Sequence, residues 1–247
     1  MLKVGTYNIR LLADDGVDSW KYRSQYLMET LQNDAYDVIG LQEVTPKQYH
    51  DLAQIPEYRL VGQAREVDGL GEAAPILFHE QTLECLEDKT YWLSDTPDVP
   101  SKFENSACNR VATIATFRIK NSDIVFQFAS CHIDHIVTDA QAKQIYVLMT
   151  LMDNNLPVII TGDFNLTPDA APIQLLEAKY QSVAKDSKFG TFNDFDTQQD
   201  VMDMERIDYI FLDDSWTIHA SDIVVAVNEQ GRYNSDHFPV VGLISQT

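Results

Sequence analysis

An α/β fold in a single domain, with mixed β-sheets covered by helices, is what this sequence predicts, and three observations carry that prediction. Apolar runs of strand length alternate with amphipathic segments near the start of the chain. A strand-rich middle is followed by another strand, helix and further strands, the order expected of sheets flanked by helices. No Pro/Gly/Ser-rich linker, low-complexity tract or repeat divides the 247 residues, so residues 1–247 read as one domain.

The elements follow in order. Leu2 to Asn8, Tyr36 to Glu43 and Pro157 to Gly162 are apolar runs that end in polar residues, the pattern of buried strands whose ends reach a site. An amphipathic segment from about Arg23 to Gln32 separates the first two. Thr45-Pro46-Lys47-Gln48 supplies an N-cap, a proline at the first helical position and a glutamine three residues after the cap. Thr138-Asp139-Ala140-Gln141 repeats the capping-box spacing, and Ala142, Ile145, Leu148 and Met152 follow at helical intervals. A fourth helix is expected to begin near Asp169. Val111 to Ile119, Ile124 to His132, Ile207 to Leu212, Ile223 to Val227 and Phe238 to Ile244 read as further strands. Ser94 to Asn109, with Pro97 and Pro100 and no periodicity, reads as a long loop.

Composition narrows the function. Hydrophobic residues at 45% suffice for a sizeable core and argue against disorder. A formal net charge of -20 opposes capture of polyphosphate backbones, which depends on Lys and Arg, so a small phosphoester suits the chain better than duplex DNA. The same acidity could serve solubility alone. Cys85, Cys108 and Cys131 lack the paired spacing of a zinc or redox motif and read as reduced, mostly buried thiols. No segment is long and apolar enough for a membrane span and no secretory signal opens the sequence, so a cytoplasmic protein is expected, secretion remaining open if a signal has been removed.

Six short segments carry chemistry. TGDFN at 161 to 165 follows an apolar strand and presents Asp163 and Asn165 together if the backbone stays extended; an Asx-rich turn is the plainer reading. In LQEV, Glu43 ends the second buried run, and its carboxylate is the hard oxygen ligand that Mg²⁺ or Mn²⁺ prefers. TYNIR sets Asn8 at the end of the first strand. In RIDYIFL, Asp208 lies in a strand apolar on both faces and needs a partner, either Arg206 or a histidine or metal. SDHFPV sets Asp236 and His237 before the last strand, their side chains diverging. HIDH at 132 to 135 supplies further polar groups without the H-x-H spacing of a dinuclear zinc site, and Cys131 should face the core.

In this order, from Thr6 to Val240, the segments resemble the endonuclease/exonuclease/phosphatase superfamily of metal-dependent hydrolases. The resemblance implies a four-layer α/β sandwich with two central mixed sheets and a site at one edge. It implies Mg²⁺ or Mn²⁺ held chiefly by Glu43, with Asn8 and Asp236 completing or flanking the metal. Asp163 would position or deprotonate the attacking water and Asn165 would orient it. His237, held by Asp208, would act as base or as donor to the phosphoryl oxygens, and His132 as a second donor or acid. Glu72 resembles the acid that supports the histidine at the His132 position, a salt bridge to Arg65 being the alternative. Arg110 sits where relatives carry a phosphate-contacting arginine, a task its fork geometry suits.

These readings imply a divalent-metal-dependent phosphodiesterase or phosphomonoesterase acting on a small or single-stranded substrate. A nuclease acting on DNA or RNA, or a non-catalytic binding protein retaining the fold, are the alternatives. Glu205-Arg206-Ile207-Asp208 departs from the aromatic-Cys-Asp-Arg run of the inositol-phosphatase branch and argues against that activity. Nucleic acid is disfavoured by charge, and no protein partner is implied.

Overall fold

Side-chain alternation along the first strand fixes the layers. The computed structural model describes residues 1–153 and 155–247. The chain runs through β1 (Leu2–Asn8), α1 (Trp20–Asn33), β2 (Val38–Gln42), α2 (Pro46–Leu52), β3 (Tyr58–Val61) and β4 (Ile76–His79). It continues with β5 (Leu83–Trp92), β6 (Val111–Ile119), β7 (Val125–His132), α3 (Thr138–Leu151), β8 (Val158–Asp163) and α4 (Ala171–Lys179). The last elements are β9 (Gln181–Ser182), β10 (Asp208–Leu212), β11 (Trp216–Ile223) and β12 (Val240–Gln246).

The strands form two six-stranded sheets, ordered β11-β12-β1-β2-β4-β3 and β5-β6-β7-β8-β10-β9. In each, a central pair is parallel, β1 with β2 and β7 with β8, and is joined by a crossover helix, α1 or α3. Leu2, Val4 and Val38 face the other sheet, where they meet Phe126, Phe128, Ile159 and Ile210. Tyr7, Ile39 and Leu41 face outward onto Trp20, Leu27 and Leu31 of α1. The second sheet alternates likewise, with Ala129, Ile160 and Phe211 packed under Ile145, Leu148, Ile173 and Leu176 of α3 and α4. Helix, sheet, sheet, helix is thus the layer order that the resemblance implied.

Near one edge the sheets approach too closely for large side chains. A Cβ on Gly40 would lie 2.2 Å from the Thr161 hydroxyl and 2.9 Å from Ser130, so only glycine fits there. Buried polar groups knit this contact: Thr6 donates to Gln42, Gln42 to Ser130, and Ser130 to the Leu41 carbonyl.

Several expectations are corrected. The strand expected over Ile223 to Val227 lies earlier, as β11. Its ladder ends at the Ile223–Val240 pair, because Pro239 has no N–H to continue it, and Val225 and Val227 run on exposed. The capping box expected at Thr138 is absent: Val137 caps α3, and the Asp134 carboxylate accepts the Ile136 and Val137 N–H groups instead. The box at Thr45 and Gln48 is present. Of the cysteines only Cys131 is fully buried, facing the core as expected. β3, β4 and β5 went unread in the sequence; β5 is an edge strand whose mostly exposed residues hide its alternation.

Candidate active site

Strand polarity and register explain why polar residues remote in sequence meet. Asn8, His132 and Asp163 are the last residues of β1, β7 and β8, and Glu43 follows β2 directly, so four carboxyl ends open at one edge. β10 runs antiparallel to β8 and enters at that edge, pairing Asp208 with Asp163, while His132 pairs with Asp163 from the other side. One row across three strands therefore reads His132, Asp163, Asp208. The residues before β12, antiparallel to β1, bring Asp236 and His237 to the same place.

Hydrogen bonds fix the arrangement. Asn8 Nδ2 bridges the sheets, donating to Asp163 Oδ2 at 2.9 Å and to Glu43 Oε1 at 3.2 Å, while its Oδ1 accepts the Arg10 N–H at 3.0 Å. Glu43 adopts a left-handed φ of 62°, a costly conformation for a residue with a Cβ, and the Leu11 N–H holds its Oε2 at 2.8 Å. Asp208, whose partner the sequence left open, pairs with His237 Nδ1 at 2.8 Å and not with Arg206, which donates to the Ala184 and Lys185 carbonyls. Asp163 Oδ2 then lies 3.5 Å from His132 Nε2 and 3.9 Å from His237 Nε2.

The two imidazoles are electrostatically opposite. Burial opposes charge on His237, but the carboxylates of Asp208, Asp163 and Asp236 outweigh it and push its pKa up to about 10. Burial and the neighbouring Arg110 charge hold His132 well below the ordinary histidine range. Neutral His132 accepts from Asn165 Nδ2 at Nε2, 3.1 Å away, leaving its proton on Nδ1, which has no partner and lies 3.9 Å from Glu72. Asp163 is pushed up to about 7 by burial and by the charge of Asp208. Asp236 is raised by burial and by Glu43, so the acids at this edge repel one another.

Asn165 reaches the site by a different route from the one expected. Its φ is 50°, not extended, and its N–H donates to Asp163 Oδ1 in an Asx turn. The turn and the site are thus the same structure. Glu72 makes the Arg65 salt bridge at 2.9 Å and also lies 3.8 Å from buried Arg110, whose Nη2 meets His135 Nδ1 at 2.9 Å. Asp134 of HIDH is a loop clamp, accepting from Ser106, Ala107, Ile136 and Val137.

Glu43, Glu72, Arg110, His132, Asp163, Asn165, Asp236 and His237 line one cavity of about 460 Å³, with Asn8 and Asp208 buried beside it. Of the loop from Ser94 to Asn109, Cys108 reaches the cavity. Sequence reasoning missed Arg10, Phe192, Asp194 and Glu205, which also line it, and gave Arg65 only as a salt-bridge partner for Glu72. Residues near 190 to 205 show no periodicity that could have revealed them. It also missed Arg23, which is buried and donates to the carbonyls of Asp18, Ile9, Arg10 and Asn234, clamping the backbone under the site. A charge at stripe spacing between Trp20 and Leu27 was the available signal.

A profile of the Endonuclease/Exonuclease/phosphatase family matches residues 5–237. A functionally unknown conserved protein from Enterococcus faecalis V583 superposes with a TM-score of 0.94 at 27% identity, covering 100% of both chains. A mannosyl-6-phosphatase from Bacteroides thetaiotaomicron VPI-5482 gives 0.90 at 28% identity, covering 99% of this chain and 100% of the other. Among curated sequences, Protein angel of Drosophila melanogaster is 25% identical over 65% of this chain, and the match spans 48% of that protein, about half its length.

Proposed function

This chain belongs to the endonuclease/exonuclease/phosphatase family, and we propose that it is a Mg²⁺- or Mn²⁺-dependent hydrolase that cleaves a small phosphoester by in-line attack of water. The observation that carries the reading is the meeting of Asp163 Oδ2 with two imidazoles of opposite protonation within 3.5 and 3.9 Å, beside Glu43 in the same cavity. The similarity to a mannosyl-6-phosphatase supports a phosphomonoester.

The residues fit a hard divalent ion. Glu43 and Asp236 offer carboxylate oxygens facing the cavity, and Arg10 Nη1 lying 3.6 Å from Asp236 marks a position that attracts positive charge. Asn8 flanks that position. Asp163, Asp208 and His237 also present ligand atoms within 4.8 Å of one another. The Asp208–His237 hydrogen bond already occupies two of these groups, and Glu43 is the more open, which suits an ion that retains water ligands. A bound ion would supply charge neutralisation at the phosphoryl oxygens.

The chain's own residues supply the remainder. His237, kept cationic by Asp208, donates to a phosphoryl oxygen, and Arg110 adds a second positive group. Asp163, whose raised pKa makes it a usable proton acceptor near neutrality, orients and deprotonates the attacking water. Asn165 holds His132 in the tautomer that accepts at Nε2. Among the described residues no helix is long and apolar enough to cross a membrane. The three free cysteines support a reducing, cytoplasmic setting.

The test is a panel of aryl phosphate, aryl phosphodiester and oligonucleotide substrates after EDTA treatment, with Mg²⁺ or Mn²⁺ restored. Metal-dependent turnover of a small ester that Asp163→Ala abolishes is expected. Full turnover without metal, or in a Glu43→Ala, His237→Ala double variant, would exclude this site.

A further inference from the structure

From the cavity wall around Phe192 we infer that the organic part of the substrate is a neutral, polyhydroxylated alcohol, a sugar or polyol, and that Phe192, Asp194 and Glu205 select it. The inference rests on the phosphoesterase reading above and adds the substrate's leaving-group chemistry.

The cavity lining carries two connected groups. Arg65 and Arg110 meet at Glu72, and Arg110 reaches His135, whereas Phe192 and Asp194 are bonded through their backbone to Glu205, His237 and Asp236, with Arg10 beside Asp236. The edge of the Phe192 ring meets His237, with centroids 5.1 Å apart, so an aromatic surface begins where the phosphoryl-binding groups end. The volume of about 460 Å³ exceeds the needs of a phosphoryl group and admits a ring-sized alcohol beside it.

The wall is rigid and tied to the catalytic residues. Phe192 is bridged through its backbone to both Glu205 and His237. The N–H groups of Asn193 and Asp194 donate to the Asp236 carbonyl at 2.7 and 3.1 Å, and the Thr191 hydroxyl accepts the N–H groups of Ile207 and Asp208. Asp194 is held at a φ of 47° by these contacts. Neither the Asp194 nor the Glu205 carboxylate makes a side-chain hydrogen bond or ion pair with the protein among the described residues, so both retain their full accepting capacity at the mouth of the cavity.

Free carboxylates beside an aromatic surface suit a sugar: carboxylates accept charge-assisted hydrogen bonds from hydroxyls, and the ring covers an apolar face. They do not suit a nucleic acid strand. A strand continuing past the scissile phosphate needs cations for its next phosphate, and this wall offers two unpaired carboxylates, while Arg10, a further cation of the cavity, is paired with Asp15 and Asp236.

The test is the ratio of kcat/KM for a hexose 6-phosphate to that for 4-nitrophenyl phosphate, measured with Mg²⁺ for the wild type and for an Asp194→Asn, Glu205→Gln variant. Both positions are exposed, and an unchanged melting temperature verifies the variant's fold. The wild type is expected to hydrolyse the hexose phosphate, and the variant to lower the ratio at least about tenfold, through KM more than kcat. A Phe192→Ala variant should lower it in the same direction. A ratio that moves by less than twofold, or a wild type that turns over the aryl ester and not the sugar phosphate, overturns this inference and leaves the phosphoesterase reading intact. Turnover of neither ester overturns this inference, and the phosphoesterase reading falls with it only if the aryl phosphodiester is also left intact.

Discussion

Replacing Asp208 by Asn should separate catalysis from stability. Asp208 is 1% exposed, its Oδ2 accepts from His237 at 2.8 Å, and its Oδ1 is buried without a partner. Asn preserves the shape and an acceptor but removes the charge that does most to keep His237 cationic up to about pH 10. The His237 pKa should fall toward the ordinary histidine range, each unit corresponding to about 1.4 kcal/mol of lost preference for the imidazolium. Loss of a properly charged donor or acid typically costs about 10²- to 10⁴-fold, or roughly 3–5 kcal/mol of barrier. Stability should respond weakly. The variant relieves a buried, half-satisfied charge, which offsets the weakened hydrogen bond, so Tm is expected within about 5 °C of wild type. The assay is kcat/KM for 4-nitrophenyl phosphate with saturating Mg²⁺ across pH 5 to 10, beside thermal denaturation. The expected result is a loss of about a hundredfold or more, with the alkaline limb moved to lower pH. Unchanged kcat/KM, or a loss matched by unfolding, would refute the reasoning and make the pair structural.

Three further outcomes follow from the packing. Arg23→Leu strips donors from four backbone carbonyls and should cost about 3 kcal/mol or more, or roughly 6–12 °C in Tm, which differential scanning calorimetry reads directly. Gly40→Ala forces a methyl against Thr161 and Ser130 where the two sheets meet, and chemical denaturation should show a loss of about 1–3 kcal/mol or more. Burial opposes charge on Asp134, but four hydrogen bonds outweigh it and hold its pKa down to about 2, below the ordinary 3.8. A depressed carboxylate stabilises the fold above its unfolded pKa, and that contribution is lost as pH falls through the folded value. Asp134→Asn should therefore be less stable than wild type at pH 7, with the gap closing between about pH 4 and pH 2 in urea titrations.

Much of the site was legible because strand ends advertise themselves. Asn8, Glu43 and Asp163 each terminate an apolar run, and a parallel strand at the centre of a sheet reads as such a run whatever its partners. Asp208 was legible through its isolation among Ile207, Tyr209, Ile210 and Phe211, and the structure supplied the partner. Elements stabilised by tertiary contacts alone were not legible. β3 and β4 are four residues each, too short for a period to emerge, and the wall at Phe192 depends on backbone bridges to positions 205 and 237 that no local pattern encodes. Arg23 occupies a core position on its helix as a cation, which its carbonyl partners and the rings of Trp20 and Phe195 explain. The run from Ile223 to Val227 misled because hydrophobicity without a neighbouring N–H ladder does not make a strand.

Anomalous diffraction from crystals equilibrated with Mn²⁺ tests the central claim most directly. The account predicts one dominant manganese peak about 2.0–2.4 Å from a Glu43 carboxylate oxygen, with Arg10 displaced from Asp236. A protein that takes up no manganese in the cavity, or binds it only at surface carboxylates away from Glu43, would contradict it.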